Sequence, residues 1–336
     1  MSQHNRDDAI YHAELSQTKR PTSPYMESIL YQQFPILDHG FIQLVDYLGD
    51  ELSVVNAARI SYNTEHSELK PSDVGLLRYL MRMRHSTPYE SCVIKFRAKM
   101  PIFVARQWIR HRTASVNEQS ARYSILDNEF YIPSEENIQP QSTDNKQGRA
   151  GELTIEQKHL VQKLLRQDAW RAYNNYEILL AEEADHGGET KSVNFPEYIL
   201  HGDSEFPGIA RELARMNLSL NFYTSWIWQT NLHNLLHFLG LRADPHAQYE
   251  IRIYANKILE IVQGWLPNVC QAFMDYQMNA VTLSGPEWQI LQMYLQDTPQ
   301  GIAQACLAQA FSECQQMSKR EKQDLFYKIF GTKGEF

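Results

Sequence analysis

Every second residue from Cys92 to Met100 is apolar, and this alternation limits the possible folds more than any other pattern in the chain. The residues between are valine, lysine and arginine. A period of two predicts a β-strand with one face in a core. Pro101 ends the strand because proline suits a first helical turn. We predict a helix over Phe103–Arg112 directly afterwards.

Two further strands and six further helices follow from the same rules. The strands are predicted at Phe41–Leu48 and from Phe222 to Trp228. Helix starts are indicated by Ser72, the Thr154/Gln157 capping box, Asn231 and Asp244-Pro245. The predicted helices cover 52–62, 73–84, 154–179, 207–220, 231–240 and 244–262. Strands and helices do not alternate as βαβ units, and no GxGxxG or GxxxxGK[ST] loop occurs, so we predict an α+β fold.

Composition excludes some functions and suggests a compartment. Lys and Arg total 32 against 40 Asp and Glu, a formal charge of −8, whereas wholesale nucleic-acid binders are usually basic. No apolar run approaches the ~20 residues of a membrane span, and Met1–Thr22 lacks the apolar stretch of a secretory signal. The four cysteines form no CxxC pair. We therefore expect a cytoplasmic protein without a nucleic-acid or membrane partner.

A cationic stretch between Lys95 and Tyr123 reverses the sign of the chain's charge locally. Its only acid is Glu118, and its cations are Lys95, Arg97, Lys99, Arg106, Arg110, Arg112 and Arg122. Arginine holds phosphate or carboxylate oxygens in two-pronged contacts. Interleaved Trp108 and Val116 predict partial burial, and buried arginines need a counter-charge. The stretch therefore predicts a site for a phosphorylated ligand.

Motifs in and around this stretch resemble those of the flavin-dependent thymidylate synthases. Arg110-His111-Arg112, followed after seven residues by Ser120, resembles the RHR-x7-S signature of that family. Four further segments agree in the same order, over roughly residues 36–135 and 207–265. They are HSTPYE (85–90), PIFVARQW (101–108), NEQSARYS (117–124) and LRADPHAQ (241–248).

The resemblance implies a reaction, an architecture and an assembly. The reaction is reductive methylation of dUMP to dTMP, with FAD as cofactor and NADPH and 5,10-methylenetetrahydrofolate as co-substrates. The architecture is a mixed sheet flanked by long helices, and the assembly is a homotetramer whose sites combine several subunits. We expect this domain over residues 36–270, a polar arm over 1–35, and a helical extension of unknown role over 271–336.

The resemblance also assigns residues to the cofactor and the nucleotide. The FAD-binding residues would be Thr87, Arg110, His111, Arg112, Glu118, Asn231, Leu232, His233 and His237. The dUMP-binding residues would be Gln107, Trp108, Ile109, Arg110, Glu118, Gln119, Ser120, Ala121, Arg122, Arg215 and Arg242. Both ligands carry phosphate, which arginine suits.

Arg242 is the predicted catalytic residue. Uracil must become nucleophilic at C5, so negative charge develops on its O2/N3/O4 edge, and a positioned guanidinium stabilises that charge. No cysteine lies in the matched site segments, so a cysteine nucleophile has no candidate.

Two features leave alternatives open. Some family members have Arg and Asn where this chain has His233 and His237, and Ser91 replaces a frequent His. The spacing of these two histidines also suits a metal, so a hydrolase using them with His246 is one rival, although we predict no metal. The other rival is a single-stranded nucleic-acid binder that uses the cationic stretch.

Overall fold

The computed structural model describes residues 18–123, 125–143, 148–180, 207–297, 300–315 and 317–330. The chain divides into two compact units, residues 1–278 and 279–336. The strands of the first unit are β1 (Gln33–Ile36), β2 (Gly40–Leu48), β3 (Val93–Pro101), β4 (Ser115–Glu118) and β5 (Tyr223–Asn231). They form one sheet in the order β1-β2-β3-β5-β4.

All four strand pairs of this sheet are antiparallel. The α+β class is confirmed, but the expectation of a mixed sheet is wrong for the named strands, since the only parallel pairing among the described residues is the isolated bridge Leu30↔Leu44. Among neighbouring strands, β1 and β2 are joined directly by a short turn, which makes that pair antiparallel. The other neighbours are separated along the chain by helices and loops.

Helices α1–α9 of the first unit surround the sheet. They are α1 (Pro24–Ile29), α2 (Glu51–Arg59), α3 (Pro71–Arg82), α4 (Ile102–Trp108), α5 (Ile155–Leu180), α6 (Arg211–Ala214), α7 (Leu232–Arg242), α8 (Tyr249–Trp265) and α9 (Pro267–Phe273). Short 3-10 turns cover Ile60–Tyr62, Thr87–Ser91, Glu135–Asn137 and Arg215–Asn217, and a π-turn covers Met274–Met278. No helix among the described residues is long and apolar enough to cross a membrane.

One face of the sheet forms the main core, as the alternation predicts. Ile94, Phe96 and Ala98 of β3 are fully buried, and Trp226 and Trp228 of β5 lie beside them in the same cluster. Helix α8 contributes a continuous buried stripe and packs against α1, α4, α7 and β2. Antiparallel sheets commonly pack one face and leave the other partly open to water. A second, smaller core lies between α5 and Phe222.

Several predicted helix boundaries are confirmed. The Thr154 amide donates to Gln157 Oε1 at 2.9 Å, and the Gln157 amide donates to Thr154 Oγ1 at 3.3 Å. These two bonds are the predicted capping box. Asn231 Oδ1 accepts from the Asn234 amide at 3.0 Å and caps α7.

Other helix boundaries differ from the prediction for identifiable reasons. Helix α3 has Lys70 at its N-cap rather than Ser72, because Pro71 occupies the first helical position. Helix α7 continues past Gly240 to Arg242. Asp244 does not cap α8, since its carboxylate accepts from His246 in a turn that precedes that helix.

Two predicted helices are much shorter than expected. The predicted helix 207–220 is reduced to α6 and one 3-10 turn, since the chain is extended from Leu218. The Leu220 and Phe222 carbonyls then accept from the amides of α4's first turn. The helix predicted over Phe103–Arg112 ends at Trp108, since the chain must then reverse to enter β4. After Trp108 the helix is extended by turn-type bonds, in which the Arg110 and His111 amides donate to the Gln107 and Trp108 carbonyls.

The predicted domain boundaries do not coincide with those of the compact units. Helix α1 and strand β1 lie within the predicted 1–35 arm or at its edge, and Met26 of α1 is fully buried. At the other end, α9 runs across residue 270, and the first unit continues to Met278. The second unit is helical, as predicted, with α10 (Gly285–Asp297), α11 (Gln300–Glu313) and α12 (Lys319–Phe330).

Candidate active site

Trp108 ends α4 and fixes the position of the residues that follow it. Its indole is fully buried and packs on Trp226, Trp228, Phe238 and Tyr254, with ring centroids 4.9–6.1 Å away. These rings belong to β5, α7 and α8. The signature arginines therefore begin two residues beyond a rigid point of the core.

Arg110 and Arg112 are exposed, and neither forms an ion pair within the described part of the chain. Glu118, the only acid of the cationic stretch, accepts instead from Thr224 Oγ1 at 2.7 Å. The predicted partial burial of the stretch is therefore found at Trp108, whereas Arg110 and Arg112 are exposed because the helix ends before them. Both guanidinium groups remain available to an anionic ligand.

His111 and Arg242 meet directly, although 130 residues separate them. Arg242 Nε donates to His111 Nε2 at 3.1 Å. The His111 ring also contacts Phe238 and His237, with centroid distances of 5.0 and 5.8 Å. Because Nε2 accepts a hydrogen bond, the neutral imidazole carries its proton on Nδ1. The structure thus joins the predicted catalytic residue to the predicted signature.

Electrostatics keep His111 neutral. Burial lowers the pKa of His111 to about 4, and the charges of Arg242 and His237 act in the same direction. Burial also lowers the pKa of the Arg242 guanidinium, which nevertheless stays charged in proteins. No described residue bonds Arg242 Nη1 or Nη2, so the two-pronged end of the side chain is left for a ligand.

The remaining predicted FAD residues lie around the start of α7. Asn231 Oδ1 is occupied by the helix cap, which leaves its Nδ2 as the group that can contact a ligand. His233 is half-buried and His237 is exposed. The 3-10 turn that begins with the exposed Thr87 packs against α7. Thr87 and the histidines are therefore on neighbouring elements.

A second group of predicted residues lies at the opposite end of β5. Pairing of β4 with β5 places Glu118 opposite Trp226, and the Gln119 amide donates to the Ser225 carbonyl at 2.8 Å. Ser120 Oγ then accepts from the Arg122 amide at 3.3 Å. These contacts shape a turn over residues 120–123.

Helix α6 packs beside this turn and brings Arg215 with it. Arg211 Nη1 donates to the Tyr123 carbonyl at 2.9 Å, and Arg122 pairs with Glu212 at 3.2 Å. Arg215 is exposed at the start of the next 3-10 turn. The predicted nucleotide residues Glu118–Arg122 and Arg215 thus share one surface.

The two groups do not touch in the described part of the chain. No predicted residue of the Arg110–Arg242 group bonds one of the Glu118–Arg215 group. Asn231 and the Glu118 partner Trp226 are five positions apart on β5, a span of roughly 17 Å at strand geometry. The predicted site residues therefore form two separate groups in the described part of one chain.

Three predicted ligand residues have buried side chains. Trp108 and Leu232 are fully buried, and Ala121 is nearly so. Contact between their side chains and a ligand is excluded in this arrangement, because the side chains fill the core, and only their backbone atoms remain for binding. Ile109, in contrast, is exposed.

Some site contacts were not anticipated from the sequence. Thr224 is predicted only as a strand residue, although it is one of two polar members, with Thr230, of the inward-facing row that includes Trp226 and Trp228. Gln107 donates to Gln248, whose own amide donates to Glu250 at 2.8 Å. Gln248 ends the resemblance segment 241–248, and that position was its only sequence signal.

No arrangement of side chains among the described residues supports the alternative of a metal site. No group of three His, Cys, Asp or Glu side chains there is placed to hold a metal ion. His246 pairs with Asp244 at 2.9 Å, whereas His237 faces His111.

Fold and site together define an α+β protein with an exposed, cationic site for anionic ligands. A model of the thymidylate synthase complementing protein family matches residues 43–268. The chain therefore belongs to the thymidylate synthase complementing protein family. The resemblance seen in the sequence motifs is confirmed.

Two relatives agree with this chain over most of its length. A flavin-dependent thymidylate synthase of Gluconobacter oxydans is 52% identical over 267 residues, which cover 80% of each chain. Another, from Rickettsia conorii, is 49% identical over 315 residues, which cover 94% of this chain and 99% of that one. The second alignment is longer than the family match, so residues outside 43–268 are shared as well.

A solved structure shows the same fold. The UMP/dUMP methylase PolB from Streptomyces cacaoi, bound with 5-Br dUMP, is 29% identical, with a TM-score of 0.60. The superposition covers 73% of this chain and 99% of PolB.

The depressed pKa of His111 predicts a pH-dependent loss of stability. The unfolded histidine takes up a proton near pH 6.5, whereas the folded one resists protonation down to about pH 4. The stability that neutral His111 contributes is therefore present above pH 6.5 and is lost as pH falls toward 4. His111→Gln removes the titrating group, and the fall in unfolding free energy between pH 6.5 and 4.5 should become smaller than in the wild type.

Urea unfolding at fixed protein concentration measures this difference. His159→Gln, at an exposed histidine on α5, is the matched control and should keep the wild-type slope. An equal fall in unfolding free energy between pH 6.5 and 4.5 for wild type and His111→Gln would contradict the assignment of a neutral, partly buried His111.

Proposed function

We propose that this chain catalyses the flavin-dependent reductive methylation of dUMP to dTMP. The carbon comes from 5,10-methylenetetrahydrofolate and the hydride from NADPH. A methyl group replaces the hydrogen on uracil C5, tetrahydrofolate is released and NADPH is oxidised to NADP⁺. The observation that carries the proposal is the joining of Arg242 to the signature His111 in a chain 52% identical to a flavin-dependent thymidylate synthase.

The available donors fit FAD. Arg110 and Arg112 are exposed cations without an ion-pair partner among the described residues, and a pyrophosphate would supply their counter-charge. His111 Nδ1–H and Asn231 Nδ2 are further donors that the described contacts leave free. Thr87, His233 and His237 on the neighbouring elements complete the set. These residues would hold FAD, which would supply the hydride-transfer chemistry between NADPH and the nucleotide.

Arg242 stabilises the nucleotide as C5 becomes nucleophilic. His111 holds Nε, which leaves Nη1 and Nη2 to stabilise the charge that develops on the O2/N3/O4 edge of uracil. A neutral His111 is required for this, because only an unprotonated Nε2 can accept from the guanidinium.

The thiols of the first unit do not compete with this route. Burial raises the pKa of Cys92 to about 12 and that of Cys270 to about 11. The thiolate is the nucleophilic form, and neither group forms it at neutral pH. Activation of uracil therefore relies on charge stabilisation by Arg242.

The complete site is assembled in a homotetramer, in the cytoplasm. The separation of the two groups along β5 supports the assembly, because Glu118–Arg122 of one copy can then face Arg110 and Arg242 of another. The cytoplasmic location rests on the sequence alone.

Sedimentation equilibrium should give about four chains per particle. An active monomer would contradict a site shared between copies.

Arg112→Ala should weaken FAD retention while the fold stays intact. Loss of a hydrogen bond to a charged group costs about 1.5–3 kcal/mol, so we expect roughly 10- to 150-fold weaker FAD binding. Absorbance of the protein-bound flavin after dialysis measures the retention. Arg171→Ala, at an exposed arginine that pairs with Asp168, should retain wild-type flavin. Full occupancy in Arg112→Ala would mean that Arg112 is not a cofactor ligand.

Arg242→Lys should retain FAD and lose most methylation. Lysine cannot both bond His111 through Nε and present two donors to uracil, so the methylation rate should fall on the order of 10²–10³-fold. NADPH oxidation without nucleotide should fall less, since it does not require uracil activation.

Both rates are measured on one preparation whose flavin content is known. Arg171→Lys is the control for the chemical change itself and should keep both rates. Methylation near the wild-type rate, or a fall only in parallel with flavin loss, would show that Arg242 does not have the assigned role.

A further inference from the structure

Glu250 is a buried carboxylate at the centre of a hydrogen-bond network that ends at the nucleotide site. Its side chain is 5% exposed. Arg149 Nη2 donates to both of its oxygens at 2.8 and 2.9 Å, and Tyr131 OH donates to Oε1 at 3.3 Å. Gln248 Nε2 donates to Oε2 at 2.8 Å. Every partner is a donor, as an ionised carboxylate requires.

Arg149 holds this network from outside the helices. Its Nη1 donates to the Asn137 carbonyl, and its guanidinium lies 5.8 Å from the Tyr249 ring. Burial and the charge of Glu250 raise the pKa of Tyr131, so its hydroxyl remains a donor. The segment before α5 is thereby tied to the first turn of α8.

The carboxylate fixes the orientation of two successive amides. Because Glu250 only accepts, Gln248 must turn its NH₂ group toward it, and Gln248 Oε1 is left as an acceptor. Gln107 Nε2 donates to that oxygen. Gln107 must therefore present its own Oε1 away from Gln248, and no described residue bonds that atom. Gln107 is half-buried and Gln248 is exposed, so the end of the network reaches the surface.

We propose that Glu250 and Gln248 are positioning residues that orient Gln107 Oε1 as an acceptor for a hydrogen-bond donor of dUMP, either the uracil N–H or a sugar hydroxyl. Arg149 supports them by holding the Glu250 carboxylate in place. The inference rests on the proposed function, since it takes dUMP as the ligand. It assigns a role to three residues outside the predicted site.

A mutant cycle between Gln107 and Gln248 tests the proposal. The variants are Gln107→Leu, Gln248→Leu and the double variant, with Gln271→Leu as a matched control, because Gln271 Nε2 donates to Asp275 at 2.8 Å on an exposed surface elsewhere. Calorimetric titration of the flavin-loaded protein with dUMP gives Kd, and steady-state assays give KM for dUMP and kcat.

Each single variant should weaken dUMP binding by about three- to tenfold, the range for one net hydrogen bond. The double variant should be no weaker than Gln107→Leu, because Gln248 acts through Gln107. KM for dUMP should rise more than kcat falls, whereas flavin content and nucleotide-free NADPH oxidation stay unchanged. Gln271→Leu should leave every value unchanged.

If Gln248 has a merely structural role, Gln248→Leu should lower thermal stability, and its effect on dUMP binding should add to that of Gln107→Leu. Additive effects in the double variant, or an unchanged Kd for dUMP in Gln248→Leu, overturn the proposal. Glu250→Gln is the second variant: it lets the Gln248 amide reverse and should also weaken dUMP binding. If Glu250→Gln does not fold, the mutant cycle between Gln107 and Gln248 tests the proposal by itself. A wild-type chain that binds no dUMP overturns both this inference and the proposed function, whereas normal wild-type binding with unaffected variants overturns only the inference.

Discussion

Burial of the Trp108 indole is the constraint on which the site depends. The ring is enclosed by β5, α7 and α8, so the end of α4 cannot shift without disturbing three elements. Close-packed interiors transmit such shifts rather than absorb them. Replacing the indole by alanine would cost about 3–5 kcal/mol. Because Arg110 and His111 follow within three residues, their placement inherits the rigidity of the core.

The same constraint explains how a cationic stretch can be exposed and still be well placed. Alternation along β3 and β5 buries one face, whereas the chain between α4 and β4 must cross the edge of the sheet. Arg110 and Arg112 lie on this crossing, where water satisfies their charge in the absence of a ligand. His111 is the exception, since it is turned inward against Phe238 and accepts from Arg242. A neutral imidazole beside the Arg242 guanidinium avoids the repulsion that a protonated one would add.

Local rules predicted the parts of the fold whose cause is local. The period-two pattern of β3 and β5, the capping box at Thr154 and the Asn231 cap depend on neighbours a few residues away, and each was found. The early end of α4, the brief α6 and the antiparallel sheet were not predicted, because they depend on backbone partners far along the chain. The chain is already extended at Leu218, and the Leu220 carbonyl then meets the Phe103 amide, a partner far along the chain.

Prediction of the site had the same limit. The resemblance named His111 and Arg242 separately, but their hydrogen bond required α7 to return its last residue to the end of α4. Glu250 illustrates the point further: nothing in its immediate sequence distinguishes it from a surface acid of α8, and only the fold buries it beside Arg149 and Tyr131. A buried carboxylate with four donor contacts is costly to assemble unless each donor is held in place. Here the donors are Tyr131 and Arg149, from the chain between β4 and α5, and Gln248 at the N-cap of α8, so the network couples the geometry of these segments to that of Gln107.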